Sequence, residues 1–231
     1  MTKSYKFGSC LLTVWAATLA CSNRAELLSA PPAENSTSGS VLNYQKPAAT
    51  ATIWQDGVGQ GFRSTTHTFS LEAGVGVGMA AFGSTQAHDL ALLSLAFGHM
   101  LGPVLGEGHW YRGNFEWRLE LFGGCQYSPR TDWLVGLTPH LRYNFATGTR
   151  WIPFVDAGAG VTATSISHPD LGGTFEFNLQ PGVGMHWFVH DNLALTGEVK
   201  YMHMSCAGID KPNHGLNDVI GMIGLTWFFG K

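Results

Sequence analysis

Apolar and polar residues alternate along most of this chain with a period of two, as expected of strands whose two faces meet different surroundings. The stretch 174–188 is the clearest. Phe175, Phe177, Leu179, Val183, Met185 and Trp187 fall on one face, with Thr174, Glu176, Asn178, Gln180 and His186 between them. In 114–121, Phe115, Trp117, Leu119 and Leu121 alternate with Asn114, Glu116, Arg118 and Glu120. In 133–144, Trp133, Val135, Leu137, Leu141 and Tyr143 alternate with Thr138, His140, Arg142 and Asn144. Further strands are expected near 67–79, 88–101, 151–163, 193–206 and 216–229, which brings the number to eight. Each is long enough to cross a bilayer as a tilted strand of about 9–11 residues.

Alternation alone fits a soluble barrel as well as a membrane barrel, so the content of the two faces decides. One face carries Trp, Phe, Leu and Val with aromatics near the strand ends, which suits lipid and its interfaces. The other carries Glu, Arg, His, Asn and Gln, which suits a lumen satisfied by internal hydrogen bonds. A soluble barrel needs the reverse. Only 13% of the residues are charged, against about 25% in ordinary soluble domains, too few to coat a water-exposed exterior. The expected fold is therefore all-β: an eight-stranded antiparallel transmembrane β-barrel of the bacterial outer membrane over residues 66–231. Its last strand ends on Trp227-Phe228-Phe229. The short connections 103–108, 146–149 and 190–192 read as periplasmic turns, and those near 80–87, 127–132, 165–173 and 206–216 as outward loops. Eight strands enclose only enough room for their own side chains, which disfavours a solute channel.

Residues 1–20 read as a secretory signal peptide, with Lys3 and Lys6 ahead of an apolar run and Thr18-Leu19-Ala20 at the cleavage site. Cys21 would then become the first residue and a candidate for lipidation, although Thr18 and Leu19 fit a lipoprotein signature poorly. Residues 21–65 read as a periplasmic linker and lead-in, first rich in Ser, Ala, Pro and Asn, then Gly-rich. Cys125 and Cys206 fall near the ends of strands that are not neighbours, so no disulfide framework is indicated. A net charge of −3 with 13 basic residues argues against a nucleic-acid partner.

One stretch breaks the pattern. In the seventh strand Leu193, Leu195, Val199 and Tyr201 form the lipid-facing set, so parity places His203 and Ser205 on the same side, about 7 Å apart. In the eighth, Val219, Ile223, Leu225, Trp227 and Phe229 face out, so Asn217 faces out and Asp218 faces in. Polar side chains on a lipid face are costly and need a reason. A hairpin would cluster His203, Ser205 and Asn217, and these supply a nucleophile, a base and a group to orient the base. Asp218 would join them only if a bulge turned it outward. The bland alternative is a His and a Ser resting among lipid head groups. Cys206 has the opposite parity to His203 and is a poor nucleophile candidate. No histidines stand at metal-ligand spacing with carboxylates on the outer face, so neither metal nor cofactor is expected; His140 and His186 suit a lumenal network. Glu116, Arg118, Glu120 and Arg142 read as internal ion pairs, and the glycines of Gly74-Val75-Gly76-Val77-Gly78 as barrel packing rather than a phosphate loop.

The run His203-Met204-Ser205-Cys206-Ala207-Gly208-Ile209, then Pro212-Asn213 and Gly215-Leu216-Asn217, followed by an aromatic final strand, resembles the lipid A 3-O-deacylase (PagL) or acyloxyacyl hydrolase family. Leu141-Arg142-Tyr143, Trp151-Ile152-Pro153-Phe154 and Phe175-Glu176-Phe177-Asn178 resemble it more loosely. The resemblance implies an outer-membrane serine esterase that removes an ester-linked acyl chain from lipid A of lipopolysaccharide. It implies Ser205 as nucleophile and His203 as base, with Asn213 and Gly208 supporting the oxyanion. Two positions depart from the family pattern. Cys206 stands where an Asn is common, and Asn217 where a Glu is. An amide can orient an imidazole but cannot stabilise imidazolium by charge, a change that costs about 10⁴ in rate in one serine protease. The rival expectation is a non-enzymatic barrel with a structural or adhesive role. A second copy of the chain is a candidate partner.

Overall fold

The computed structural model describes residues 52–230; the signal segment 1–20, Cys21 and the expected linker up to residue 51 lie outside the described residues. The eight strands are β1 (His67–Gly78), β2 (Asp89–Leu105), β3 (Gly113–Ser128), β4 (Asp132–Phe145), β5 (Trp151–Thr164), β6 (Phe175–His190), β7 (Leu193–Ser205) and β8 (Leu216–Phe229). Each pairs antiparallel with its sequence neighbours, and β8 returns to β1 through a register that runs from His67↔Phe229 to Gly78↔Asp218. Closure leaves no strand edge unpaired, which a sheet in hydrocarbon requires.

β3 extends well beyond the expected 114–121 because Gly123 and Gly124 hide the alternation without ending the strand. A Cβ on Gly124 would lie 1.9 Å from the Ala91 carbonyl oxygen, so close approach of β2 dictates the glycine. β2 likewise continues past a register shift between Leu101 and Leu105, and its turn into β3 falls at 106–112 rather than 103–108.

The barrel exterior is apolar: Phe69, Leu93, Phe97, Trp117, Leu141, Val155, Phe177 and Val199 are all exposed. This is the surface of a barrel solvated by lipid. The lumen is not polar throughout, as the alternation had implied, but banded. Its middle is an ionic belt: Arg118 Nη2 to Glu72 Oε1 at 2.8 Å, Arg142 Nε to Asp156 Oδ2 at 2.7 Å, Arg142 Nη2 to Glu198 Oε2 at 2.9 Å and Lys200 Nζ to Glu120 Oε1 at 2.9 Å. Towards the loops near the site lies an apolar cluster including Leu90, Phe122, Leu171, Met202, Met204 and Ile220. At the other end Ile53, Trp54, Phe62, Met100, Phe188 and Phe228 form a second.

That second cluster gives the lead-in a structural part. Residues 52–65 are not a free tether, because Trp54 and Phe62 pair across a short turn and stack at 4.8 Å, and Phe62 stacks on Phe228 at 5.0 Å. Asn114 receives the Phe62 N–H at 2.8 Å and returns its Nδ2 to the Phe62 carbonyl at 3.1 Å. Trp54 Nε1 donates to the Asp191 carbonyl at 2.9 Å. The segment plugs the barrel at the end where β1 begins and β8 finishes.

Candidate active site

β7 and β8 carry the site. Tyr201, His203 and Ser205 follow one another on the outward face of β7, and all three are half-buried. Asn217 is the direct cross-strand partner of His203, and the ladder there is unbroken. His203 Nδ1 and Asn217 Oδ1 are 2.8 Å apart. The amide's orientation is fixed on its other side. Asn217 Nδ2 lies 2.8 Å from the Ala81 carbonyl, which can only accept, so the NH₂ group must face it and Oδ1 must face the imidazole. His203 therefore donates from Nδ1 and leaves Nε2 as an acceptor.

Asn217 faces outward yet is only 1% exposed. The connection from β1 to β2 folds over it: the Met79 N–H donates to the Asn217 carbonyl at 2.8 Å, and Ala81 takes the side chain. The Tyr201 hydroxyl donates to Asn217 Oδ1 as a second donor beside His203. On the remaining side Gly215, at φ +79°, packs so closely that a Cβ there would lie 2.9 Å from His203 Cε1. The imidazole is thus confined by an amide and a backbone.

Ser205 is the last residue of β7, with Phe177 of β6 as its register partner. Its hydroxyl makes no hydrogen bond to a described residue, His203 included. Nucleophile and base in hydrolases commonly close up only with substrate present. Beyond Ser205 the chain turns sharply, with Ala207 at φ 53° and Gly208 at φ 85°. Asn213 comes back to this turn: its Oδ1 accepts the Cys206 N–H at 3.1 Å and the Cys206 thiol at 3.3 Å. With its carbonyl so occupied, the Asn213 amide is left with its N–H donors for another acceptor. Gly208 is exposed, with open space around its α-carbon and no contact that brings it to His203 or Ser205.

The other sequence candidates fall as parity requires. Cys206 is buried and its thiol also approaches the Asp210 carbonyl at 3.3 Å. Asp218 pairs with Met202 inside the barrel, with no bulge to turn it out, so it does not substitute for a carboxylate at position 217. Among the described residues no group of three or more His, Cys, Asp or Glu could hold a metal ion.

A buried hub fixes the loops around the site. The Asp170 carboxylate accepts His88 Nε2 at 2.9 Å, the Thr85 N–H at 2.7 Å and the Gln86 N–H at 3.2 Å, tying the β5–β6 connection to the β1–β2 connection. The Asp170 carbonyl accepts the His214 N–H at 2.9 Å, and Leu171 bridges to Asn213, which ties in the β7–β8 connection. Burial alone would raise the Asp170 carboxyl, but the hydrogen bonds from His88, Thr85 and Gln86 hold it below the usual carboxylate range.

Sequence reading missed three parts of the arrangement. Tyr201 counts with the lipid-facing apolar row, the Ala81 contribution is a backbone carbonyl, and Gly215 stands only as one residue of the family-like run.

A closed eight-stranded barrel with an apolar exterior, carrying Ser205, His203 and Asn217 together on its outer wall, defines a class, that of small outer-membrane barrels. The comparisons sharpen it. Residues 101–226 match the family model described as lipid A 3-O-deacylase (PagL). A lipid A deacylase PagL of Bordetella bronchiseptica is 30% identical over 122 residues, covering 52% of this chain and 58% of the relative. The crystal structure of the outer membrane enzyme PagL superposes with a TM-score of 0.50 at 21% identity, covering 67% of this chain and 97% of that one. Neisserial surface protein A (NspA) superposes with a TM-score of 0.51 at 13% identity, covering 71% and 97%, and so shares the fold. This chain belongs to the lipid A 3-O-deacylase family.

Proposed function

We propose that the protein is a serine esterase of the outer membrane that hydrolyses an ester-linked acyl chain of lipid A in the outer leaflet. The observation that carries this reading is the His203–Asn217 pair at 2.8 Å on the lipid-facing wall, beside Ser205, inside the segment that matches the family. A plain barrel has no need of an oriented imidazole there.

In this reading Ser205 Oγ attacks the ester carbonyl carbon while His203 Nε2 takes the hydroxyl proton. The negative charge that develops on the carbonyl oxygen is met by the N–H donors of Asn213. Collapse of the tetrahedral adduct breaks the bond to the sugar-side oxygen, which leaves as an alcohol carrying the proton from His203. Water, deprotonated by His203, then attacks the acyl-serine and returns Ser205 to its hydroxyl form with release of the fatty acid. Asn217 holds the ring in the tautomer this cycle needs. With the site on the outer wall, the acyl chain never has to leave the membrane. A second copy of the chain remains a candidate partner, to be read by native mass spectrometry of the solubilised barrel.

The test is mass spectrometry of lipid A from a Gram-negative host expressing this chain, beside a Ser205→Ala copy inserted to the same level. Loss of one acyl chain with the parent alone is expected. Unchanged lipid A with both, from folded barrel, would overturn the proposal.

A further inference from the structure

An amide in the orienting position carries a weakness that a carboxylate does not. Both oxygens of a carboxylate accept, so rotating it changes nothing. Rotating an amide by half a turn presents NH₂ instead of oxygen to the imidazole. Nδ1 would then have to accept, the ring proton would move to Nε2, and the base would be lost. Asn217 therefore has to be locked, and two contacts outside the proposed triad lock it. The Ala81 carbonyl holds Nδ2 at 2.8 Å, and the Tyr201 hydroxyl donates to Oδ1. With His203 the phenol fills both lone pairs of that oxygen.

We infer that Tyr201 is a positioning residue of the reaction: its phenol, set against the Ala81 carbonyl, fixes the Asn217 amide so that His203 keeps its proton on Nδ1 and offers Nε2 to Ser205. The inference rests on the reading of Ser205, His203 and Asn217 as a triad. A tyrosine in a lipid-facing row ordinarily turns its hydroxyl towards head groups and water. Here the hydroxyl turns sideways onto a side chain of the next strand, and the ring is held there. Phe82, one residue beyond Ala81, meets the Tyr201 ring edge-on at 6.5 Å. Phe82 has φ 52°, a conformation bulky residues avoid, and its side chain is 82% exposed. The loop thus supplies both the carbonyl that holds one end of the amide and a ring against the phenol that holds the other.

The experiment compares kcat and KM of the full-length barrel, its Tyr201→Phe, Asn217→Asp and double variants, and Ser205→Ala, on lipid A in mixed detergent micelles with the released acid measured by mass spectrometry. Tyr201→Phe is expected to lower kcat about tenfold with KM within about twofold, the effect of one lost hydrogen bond to the orienting group. In the Asn217→Asp background there is no amide to turn, so the same substitution should change kcat by about twofold or less. Equal losses in the two backgrounds, or a rise in KM with kcat intact, would mean that Tyr201 only braces the wall and would overturn the inference. If Ser205→Ala abolishes activity and Tyr201→Phe does nothing, this inference alone fails. If Ser205→Ala retains the parent's rate, the triad reading fails and takes this one with it. A second measurement needs no Tyr201 variant. Imidazole ¹⁵N shifts of the folded parent, with His203 assigned by difference from His203→Gln, should show His203 bare at Nε2, and the opposite tautomer would overturn the proposal.

Discussion

Replacing Gly215 by alanine puts the confinement of His203 to a quantitative test. Two effects arise at this position. The residue sits at φ +79°, where an L side chain costs about 1–2 kcal/mol. The new Cβ would also lie 2.9 Å from His203 Cε1, so the ring must give about 0.5 Å to reach an ordinary contact of 3.4 Å. It cannot do so freely, because its Nδ1 is held at 2.8 Å by Asn217. Losing that hydrogen bond is worth about 0.5–1.5 kcal/mol, and a misplacement of about 1 Å at a reacting group can cost about 10² in rate. The expected outcome is a barrel that still inserts, with kcat for lipid A deacylation about 10- to 100-fold lower and KM little changed. Gly108→Ala separates the two effects: Gly108 has φ +76° but nothing within 4 Å of its added Cβ, so it carries the same backbone strain far from the imidazole. Initial rates of fatty-acid release from purified barrels, with urea unfolding in parallel, give both readings. Full activity in Gly215→Ala, or equal losses in the two variants, would refute the claim that close backbone packing positions the base.

Other outcomes follow from the same structure. Phe62→Ala removes a fully buried ring from the cluster that closes one end of the barrel and should cost about 3–5 kcal/mol in urea unfolding, with Trp54 fluorescence shifting as water enters; an unchanged midpoint would mean that residues 52–65 add nothing to stability. The Asp170 hub is pH-dependent in a defined direction. Its carboxyl is held lower in the folded protein than the ordinary value near 3.9, so its contribution is complete above that value and is lost as pH falls through the folded one. Hydrogen-exchange protection of residues 80–88 and 165–174, taken relative to the intrinsic rate at each pH, should therefore fall below about pH 4 in the parent, and Asp170→Asn should show reduced protection already at neutral pH.

Much of the fold was legible because a barrel in lipid has two faces in opposite solvents, and a strand reports that as strict alternation. The eight strands, their directions, and the shared face of His203, Ser205 and Asn217 all follow from a period of two. Parity also kept Cys206 and Asp218 inside, as the structure has them. Alternation fails where residues have no side chain or where both faces are apolar. Gly123 and Gly124 concealed the second half of β3, and Met202 and Met204 concealed the apolar band inside one end of the lumen.

The sequence by itself determined which residues share a wall, since that depends only on counting along each strand. Tertiary structure decided what each of them touches. The Ala81 carbonyl that orients Asn217 comes from 136 residues away and has no side-chain signal. The turn of the Tyr201 hydroxyl onto Asn217 depends on a loop that closes over β8. Gly215 is one residue of a family-like run until its α-carbon is seen against the imidazole. The plug formed by Trp54 and Phe62 has no periodicity to betray it, because two aromatics in a Gly-rich segment acquire meaning only once Phe188 and Phe228 are there to receive them. Periodicity is a property of the chain and its solvent, whereas contact belongs to the closed barrel, where residues far apart in sequence are brought within bonding distance.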